Sequence, residues 1–256
     1  MNLVSLAHSV LDEGSPRRLI ELPDHRPILF VGDTHGDREA TEFVLSRFPP
    51  TSHVIVFLGD AVDRGPDSRG NLQCILAALR DHPKSVHFLM GNHEAWAVDP
   101  FTPADFWLNL EPNEAQDLAA VLSRLPLAAH HPAGLLAVHG ALPNLAERHE
   151  IEDIETGSEA WRAITWGDWA DRGARPPIGM GRRPMFDRSD FEHRAQSLGI
   201  HVVVRSHQPS APRYLFDQRC LTLFTSLAYG DGVRRVALLP PGRELRTALD
   251  LDLIEI

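Results

Sequence analysis

The sequence predicts an α/β fold with parallel strands, carried by a single domain. Three observations support this. Between residues 28 and 94, short apolar runs alternate three times with loops and helical patterns. Each run stops at a loop rich in Gly, Asp, Asn or His. No repeat, low-complexity tract or separating linker interrupts the 256 residues. Successive β-loop-α units with short connections favour parallel strands.

The elements follow in order. "PILFVGD" reads as a strand, and "DREATEFVLSRF" as a helix with apolar spacing at Ala40, Phe43, Val44 and Phe48. "HVIVFLGD" is a second buried strand. "SRGNLQCILAALRDH" is a second helix, with Ser68 as the expected N-cap. "SVHFLMGNHE" is a third strand running into a loop. "PADFWLNL" and "NEAQDLAAVLSRL" turn helical, and "GLLAVHG" is again a strand. Residues 170–188, rich in Gly, Pro and Arg, read as a long loop. The last third shortens into strands: "HVVVRSH", "RYLF", "CLTLFTS", "RRVALLP" and "LDLIEI".

Composition narrows the function classes. Hydrophobic content of 43% and charged content of 23% suit an ordinary globular core. The net charge of −10 argues against a partner bound through its phosphate backbone, so no nucleic acid is expected. Two isolated cysteines, Cys74 and Cys220, make no disulfide framework, and a reducing, cytoplasmic location is expected. The first residues lack the basic start of a signal peptide, and no apolar run reaches membrane-spanning length. A monomer without membrane association is the expectation.

Five strand ends carry the chemistry. "LFVGDTHGD" ends in Asp33 and His35. "VFLGDAVDRG" ends in Asp60, Asp63 and Arg64. "FLMGNHE" ends in Asn92, His93 and Glu94, "LAVHGA" in His139, and "VVVRSHQP" in His207. In α/β sheets, loops from several strands converge at the carboxyl ends. Asp, Asn and His without thiolate suit Mn, Fe, Zn or Co rather than Mg or Ca alone. Six ligands exceed what one catalytic ion with open positions takes, so two divalent ions sharing a bridging carboxylate are expected.

"GDTHG", "GDAVDRG", "GNHE", "VHGALPN" and "RSHQ" together resemble the calcineurin-like metallophosphoesterases, and within them the phosphoprotein phosphatases. The match runs in order from Ile28 to Tyr229. The resemblance implies a two-sheet β-sandwich flanked by helices. It assigns Asp33, His35 and His207 to one ion, and Asn92, His139 and the bridging Asp60 to the second. It makes His93 the general acid, Asp63 its orienting partner and Arg64 a phosphate clamp. Tyr229, in "LFTSLAYG", falls beside the active site. The family's second arginine has no counterpart at its usual spacing, where Met180 stands; Arg182 is the preferred substitute, with Arg183 next to it. Ala141 and the shortened "TSLAY" depart from the eukaryotic enzymes, and the chain looks like a bacterial member.

These residues predict in-line hydrolysis of a phosphomonoester by a hydroxide that the two ions generate, with Mn²⁺ the expected metal. Phosphoserine or phosphothreonine in proteins is the expected substrate; diadenosine polyphosphates are the alternative within the class. A non-catalytic scaffold is the alternative outside it, and all six ligands present argue against that. Glu94 is expected as a helix-start carboxylate, with support of a neighbouring ligand as the alternative, and the five tryptophans mainly as core, with Trp166 and Trp169 beside the Arg-rich loop as candidates for the cleft.

Overall fold

The computed structural model describes residues 2–11, 17–170, 183–229 and 232–256. Two sheets form its centre. In the first, β2 (Ile28–Val31), β3 (Val54–Phe57) and β4 (Val86–Phe88) run parallel, with Leu29 opposite Ile55. β12 (Arg235–Leu239) then joins β2 antiparallel, and β13 (Asp252–Glu255) closes that edge. The second sheet has the order β1 (Leu19–Glu21), β5 (Ala128–His131), β6 (Leu135–Val138), β9 (Val202–Arg205), β11 (Cys220–Thr222) and β10 (Tyr214–Leu215). β6, β9 and β11 are parallel, with Leu136 opposite Val203. A small third sheet pairs β7 (Asp168–Trp169) with β8 (Met185–Phe186).

Strand alternation explains the layering. Residues two apart in a strand face the same side. Phe30, Val54, Val56, Ala137, Val202, Val204, Leu221 and Ala237 share one buried cluster, filled from both sheets. The intervening residues, among them Leu29, Val31, Ile55, Phe57, Leu136 and Val203, join the helices in a second cluster. Those helices are α1 (Leu3–Leu11), α2 (Arg38–Arg47), α3 (Ser68–Asp81), α4 (Asp105–Leu108), α5 (Pro112–Leu122), α6 (Glu159–Trp166) and α7 (Arg188–Leu198). Both faces of the central strands are therefore buried, which is why they read as unbroken apolar runs. The architecture is the helix-flanked two-sheet sandwich that the resemblance implied.

Several expectations need correction. The sheets are mixed rather than parallel, because β12 returns beside β2. Asp67, not Ser68, caps α3, its side chain accepting from the Gly70 amide. Phe43 is 46% exposed, so the buried stripe of α2 is Ala40, Thr41 and Val44. Helix α7 hid behind polar composition. Its inner face is Phe191, Arg194, Ala195 and Leu198, and Arg194 lays its guanidinium 3.7 Å from the Phe186 ring.

Candidate metal and catalytic centre

The five loops meet where the two sheets end. The His35 and Gly36 amides donate to the Asp60 and Ala61 carbonyls, at 2.9 and 2.8 Å, tying the loop after β2 to the loop after β3. Across the sandwich, the His207 amide donates to Asp33 Oδ2 at 3.2 Å, and the Ser206 amide to the His139 carbonyl at 3.0 Å. Asn71 on α3 donates from Nδ2 to both the Ala61 carbonyl and Thr34 Oγ1, locking two loops from behind. His35, Asp60, Asp63, Arg64 and His207 all hold positive φ, between 42° and 72°. Non-glycine residues rarely accept that region, and the cost is tolerated where surrounding bonds over-determine the turn. Gly59 sits at φ 107°, and a Cβ there would meet Gly91 backbone at 2.6–2.7 Å and His139 Nδ1 at 2.9 Å.

The side chains form two groups that share Asp60. His35 Nε2 stands 3.7 Å from both Asp33 Oδ2 and Asp60 Oδ2. His139 Nε2 stands 3.4 Å from Asp60 Oδ2, 3.2 Å from Asn92 Oδ1 and 3.2 Å from His207 Nδ1. Such gaps suit ligands that approach a common ion. The resemblance implied that His207 shares the ion of Asp33 and His35. The geometry instead gathers its ring with His139 and Asp60, on the Asn92 side.

The residues fit a pair of cations on several counts. Asp33 Oδ1 is buried with no hydrogen-bond partner, a costly state that ligation changes. His35 and His139 donate from Nδ1 to the Val62 and Leu58 carbonyls, both at 2.9 Å, which makes Nε2 the nitrogen each ring would offer to a metal. Burial, reinforced by Asp60, pushes the Asp33 carboxyl up to about 7. Burial also works against the Asp60 anion, but His139 and His93 outweigh it and hold Asp60 well below the usual range. Burial takes His35 down to about 3 with help from His93, and lowers His207 as well, next through Arg183. Burial opposes the charge on His139, which Asp60 and Asp33 nevertheless raise to about 9. Two carboxylates in a dry pocket are short of positive charge, and divalent ions would supply it.

His93 stands apart chemically. Its Nδ1 bonds Asp63 Oδ2 at 2.5 Å. Burial disfavours its charged form, yet Asp60 and the Asp63 bond raise its pKa. Its Nε2 lies 3.8 Å from Asp60 Oδ2, so the proton it carries faces the centre. Asp63 is held in turn by the Phe106 amide at 2.7 Å. Trp107 Nε1 donates to the His93 carbonyl at 2.7 Å, and the Phe101 ring meets the imidazole edge at 4.6 Å between centroids. The segment 101–107 thus braces the pair, a role its sequence gave no sign of.

The remaining candidates divide. Arg64 follows Asp63 on the same turn and lines a 650 Å³ cavity that Gly36, Ser226 and Arg234 also border. Burial raises the Tyr229 phenol, with Arg64 beside it opposing, and its ring stands edge-on to His35 at 5.0 Å. Arg182 lies outside the described residues. Arg183 lies 5.8 Å above the Trp166 ring centre and 3.5 Å from Asp168 Oδ1. Glu94 is no helix-start carboxylate. It is buried and accepts from the amides of Asp60, Ala61 and Gly91 at 2.7, 2.9 and 3.0 Å, clamping the loop that carries the shared ligand. Asp168, absent from the expected set, sits 3.6 Å from His207 Nε2.

Residues 26–211 match the family described as Calcineurin-like phosphoesterase. Among curated proteins, the catalytic subunit of serine/threonine-protein phosphatase 6 of Drosophila melanogaster is 26% identical over 81% of this chain and 73% of its own length. Serine/threonine-protein phosphatase T of Aspergillus oryzae is 26% identical over 88% of this chain but 50% of its own length. The chain therefore spans between half and three quarters of these relatives. In fold, it is similar to a protein serine/threonine phosphatase from Saccharomyces cerevisiae, with a TM-score of 0.79 at 20% identity, covering 99% of this chain and 87% of that one. A putative diadenosine tetraphosphatase gives 0.54 at 20% identity, covering 94% and 97%.

Proposed function

Since the chain belongs to the Calcineurin-like phosphoesterase family, we propose that it hydrolyses phosphoserine and phosphothreonine in proteins with two divalent ions, Mn²⁺ foremost. Asp33, His35 and Asp60 would hold one ion; Asp60, Asn92, His139 and His207 would hold the other. When bound, the pair supplies a water nucleophile activated near neutral pH and neutralises the phosphoryl oxygens. The chain's own residues do the rest. Arg64 offers a planar fork to two non-bridging oxygens, which favours a dianionic monoester. His93 gives its Nε2 proton to the departing alkoxide oxygen, and Asp63 holds the imidazolium in orientation. Tyr229 closes the side of the site next to His35. Glu94 and Asn71 hold the loops without touching substrate.

The observation that carries this reading is the braced His93–Asp63 pair beside the ligand cluster. A serine alkoxide is a poor leaving group and needs such an acid, whereas a nitrophenolate departs unprotonated. General acid catalysis is typically worth ~10²–10⁴-fold. His93→Asn should therefore slow a phosphoserine peptide far more than an aryl phosphate, with metal content unchanged. Asp63→Asn should show the same asymmetry more weakly. Equal losses on both substrates would remove His93 from the acid role. Diadenosine tetraphosphate belongs in the same panel, and a preference for it would redirect the substrate assignment.

A further inference from the structure

We propose that Asp168 is a positioning residue that orients the metal-ligating ring of His207 and holds Arg183 over Trp166 at the side of the centre. The proposal rests on the two-ion reading above. His207 Nδ1 points at His139 Nε2 across 3.2 Å, so Nδ1 is the nitrogen turned toward the ligand cluster. An imidazole that ligates through Nδ1 carries its proton on Nε2. That Nε2 is buried without a hydrogen-bond partner, and so is Asp168 Oδ1, 3.6 Å away. The two orphans answer each other, one a donor and the other an acceptor. Ring donors that face a carboxylate fix the tautomer and orientation of metal-bound histidines.

The rest of the fold holds Asp168 for this task. The Gln208 side chain clamps the next residue on both sides: its Oε1 accepts from the Trp169 amide at 3.0 Å, and its Nε2 donates to the Trp169 carbonyl at 3.1 Å. Arg205, fully buried, donates to the same Gln208 Oε1 and to the Gly167 carbonyl, bracketing Asp168 from the other end. The Asp168 amide donates to the Pro184 carbonyl at 2.8 Å, joining it to the strand that follows Arg183. One carboxylate therefore faces a ligand ring at 3.6 Å and a cation at 3.5 Å.

The test is Mn²⁺ titration of the metal-stripped full chain by calorimetry, comparing wild type with Asp168→Ala, Asp168→Asn and Arg183→Ala. In Asp168→Ala, one of the two ions should bind 10–100-fold more weakly while the other keeps its affinity. Asp168→Asn keeps an acceptor oxygen and should recover most of that loss. Arg183→Ala should leave both affinities unchanged, separating loss of the cation from loss of the carboxylate. A general folding defect would lower both affinities together. Both ions bound as tightly in Asp168→Ala as in wild type would overturn the proposal, as would equal weakening of the two. If Asp168→Ala does not fold, Asp168→Leu, which keeps the side-chain bulk without an acceptor, reads the same split, and no split there counts against the proposal. Because the readout is binding, it stands apart from phosphatase turnover, whose absence would instead strike the functional reading.

Discussion

Single side chains at the centre do work that their neighbours cannot share. Arg64 is the clearest case. Lysine offers a point charge and no fork. Arg64→Lys should cut kcat/KM for phosphoserine peptide about 10-fold or more while two ions stay bound, checked by steady-state kinetics with metal analysis. His93 sets the pH behaviour. Its pKa is raised because Asp60 and Asp63 outweigh burial, so the imidazolium persists above the ordinary imidazole range of about 6.5. A general acid works only while protonated. The alkaline fall of kcat should therefore begin above that range, and Asp63→Asn should move it to lower pH. Gly59 tests the packing behind the ligands. At φ 107°, with Gly91 and His139 within 2.9 Å of any Cβ, Gly59→Ala should cost roughly 2–4 kcal/mol in urea unfolding.

Elements explain what the residues could not announce. The five strand ends were legible because buried strands read as apolar runs, and the ligand types follow each at once. The partners of those ligands were not legible. Glu94 clamps Asp60 from 34 residues away, and Asn71 locks two loops from the first turn of α3. Nothing local marks a Glu or Asn for that work. Likewise α4 looked like an ordinary short helix, yet Phe106 and Trp107 brace Asp63 and His93. Helix α2 carries a further consequence. Its cap, Asp37, accepts from the Ala40 amide, pairs twice with Arg234 at 2.8 Å and takes the Leu227 amide at 3.3 Å. That single carboxylate thus joins the helix start to the segment bearing Tyr229. Asp37→Ala should cost about 2–3 kcal/mol, combining a lost cap with charged hydrogen bonds, and should raise KM more than it lowers kcat. Thermal unfolding and kinetics of the variant check both.

At the scale of the whole molecule, two sheets of different strand order bring distant motifs together. Asp33, Asp60 and Asn92 come from the five-stranded sheet, while His139 and His207 come from the six-stranded one. The apolar layer between them, with Phe30, Val56, Ala137 and Val204, fixes the distance between the two halves of the ligand set. The motifs offered the candidate ligands strand by strand. Which of them stand together depends on the face-to-face packing, and so does the side on which His207 stands. Global stability carries its own pH signature away from the centre. Burial takes His87 on β4 down to about 4 from 6.5. The unfolded chain then binds the proton more readily than the folded one between these values. Stability should be fully present above pH 6.5 and fall as the pH drops toward 4, by about 3 kcal/mol at most. His87→Leu should flatten that slope in urea titrations. The central claim, a shared carboxylate between two catalytic ions, is tested most directly by titrating the metal-stripped enzyme with Mn²⁺ while following phosphoserine-peptide hydrolysis, in wild type and in Asp60→Asn. Wild-type activity should rise to a plateau as two ions bind, and Asp60→Asn should lose metal and turnover together. Full turnover in excess chelator, or an Asp60→Asn variant with two ions and wild-type rate, would contradict it.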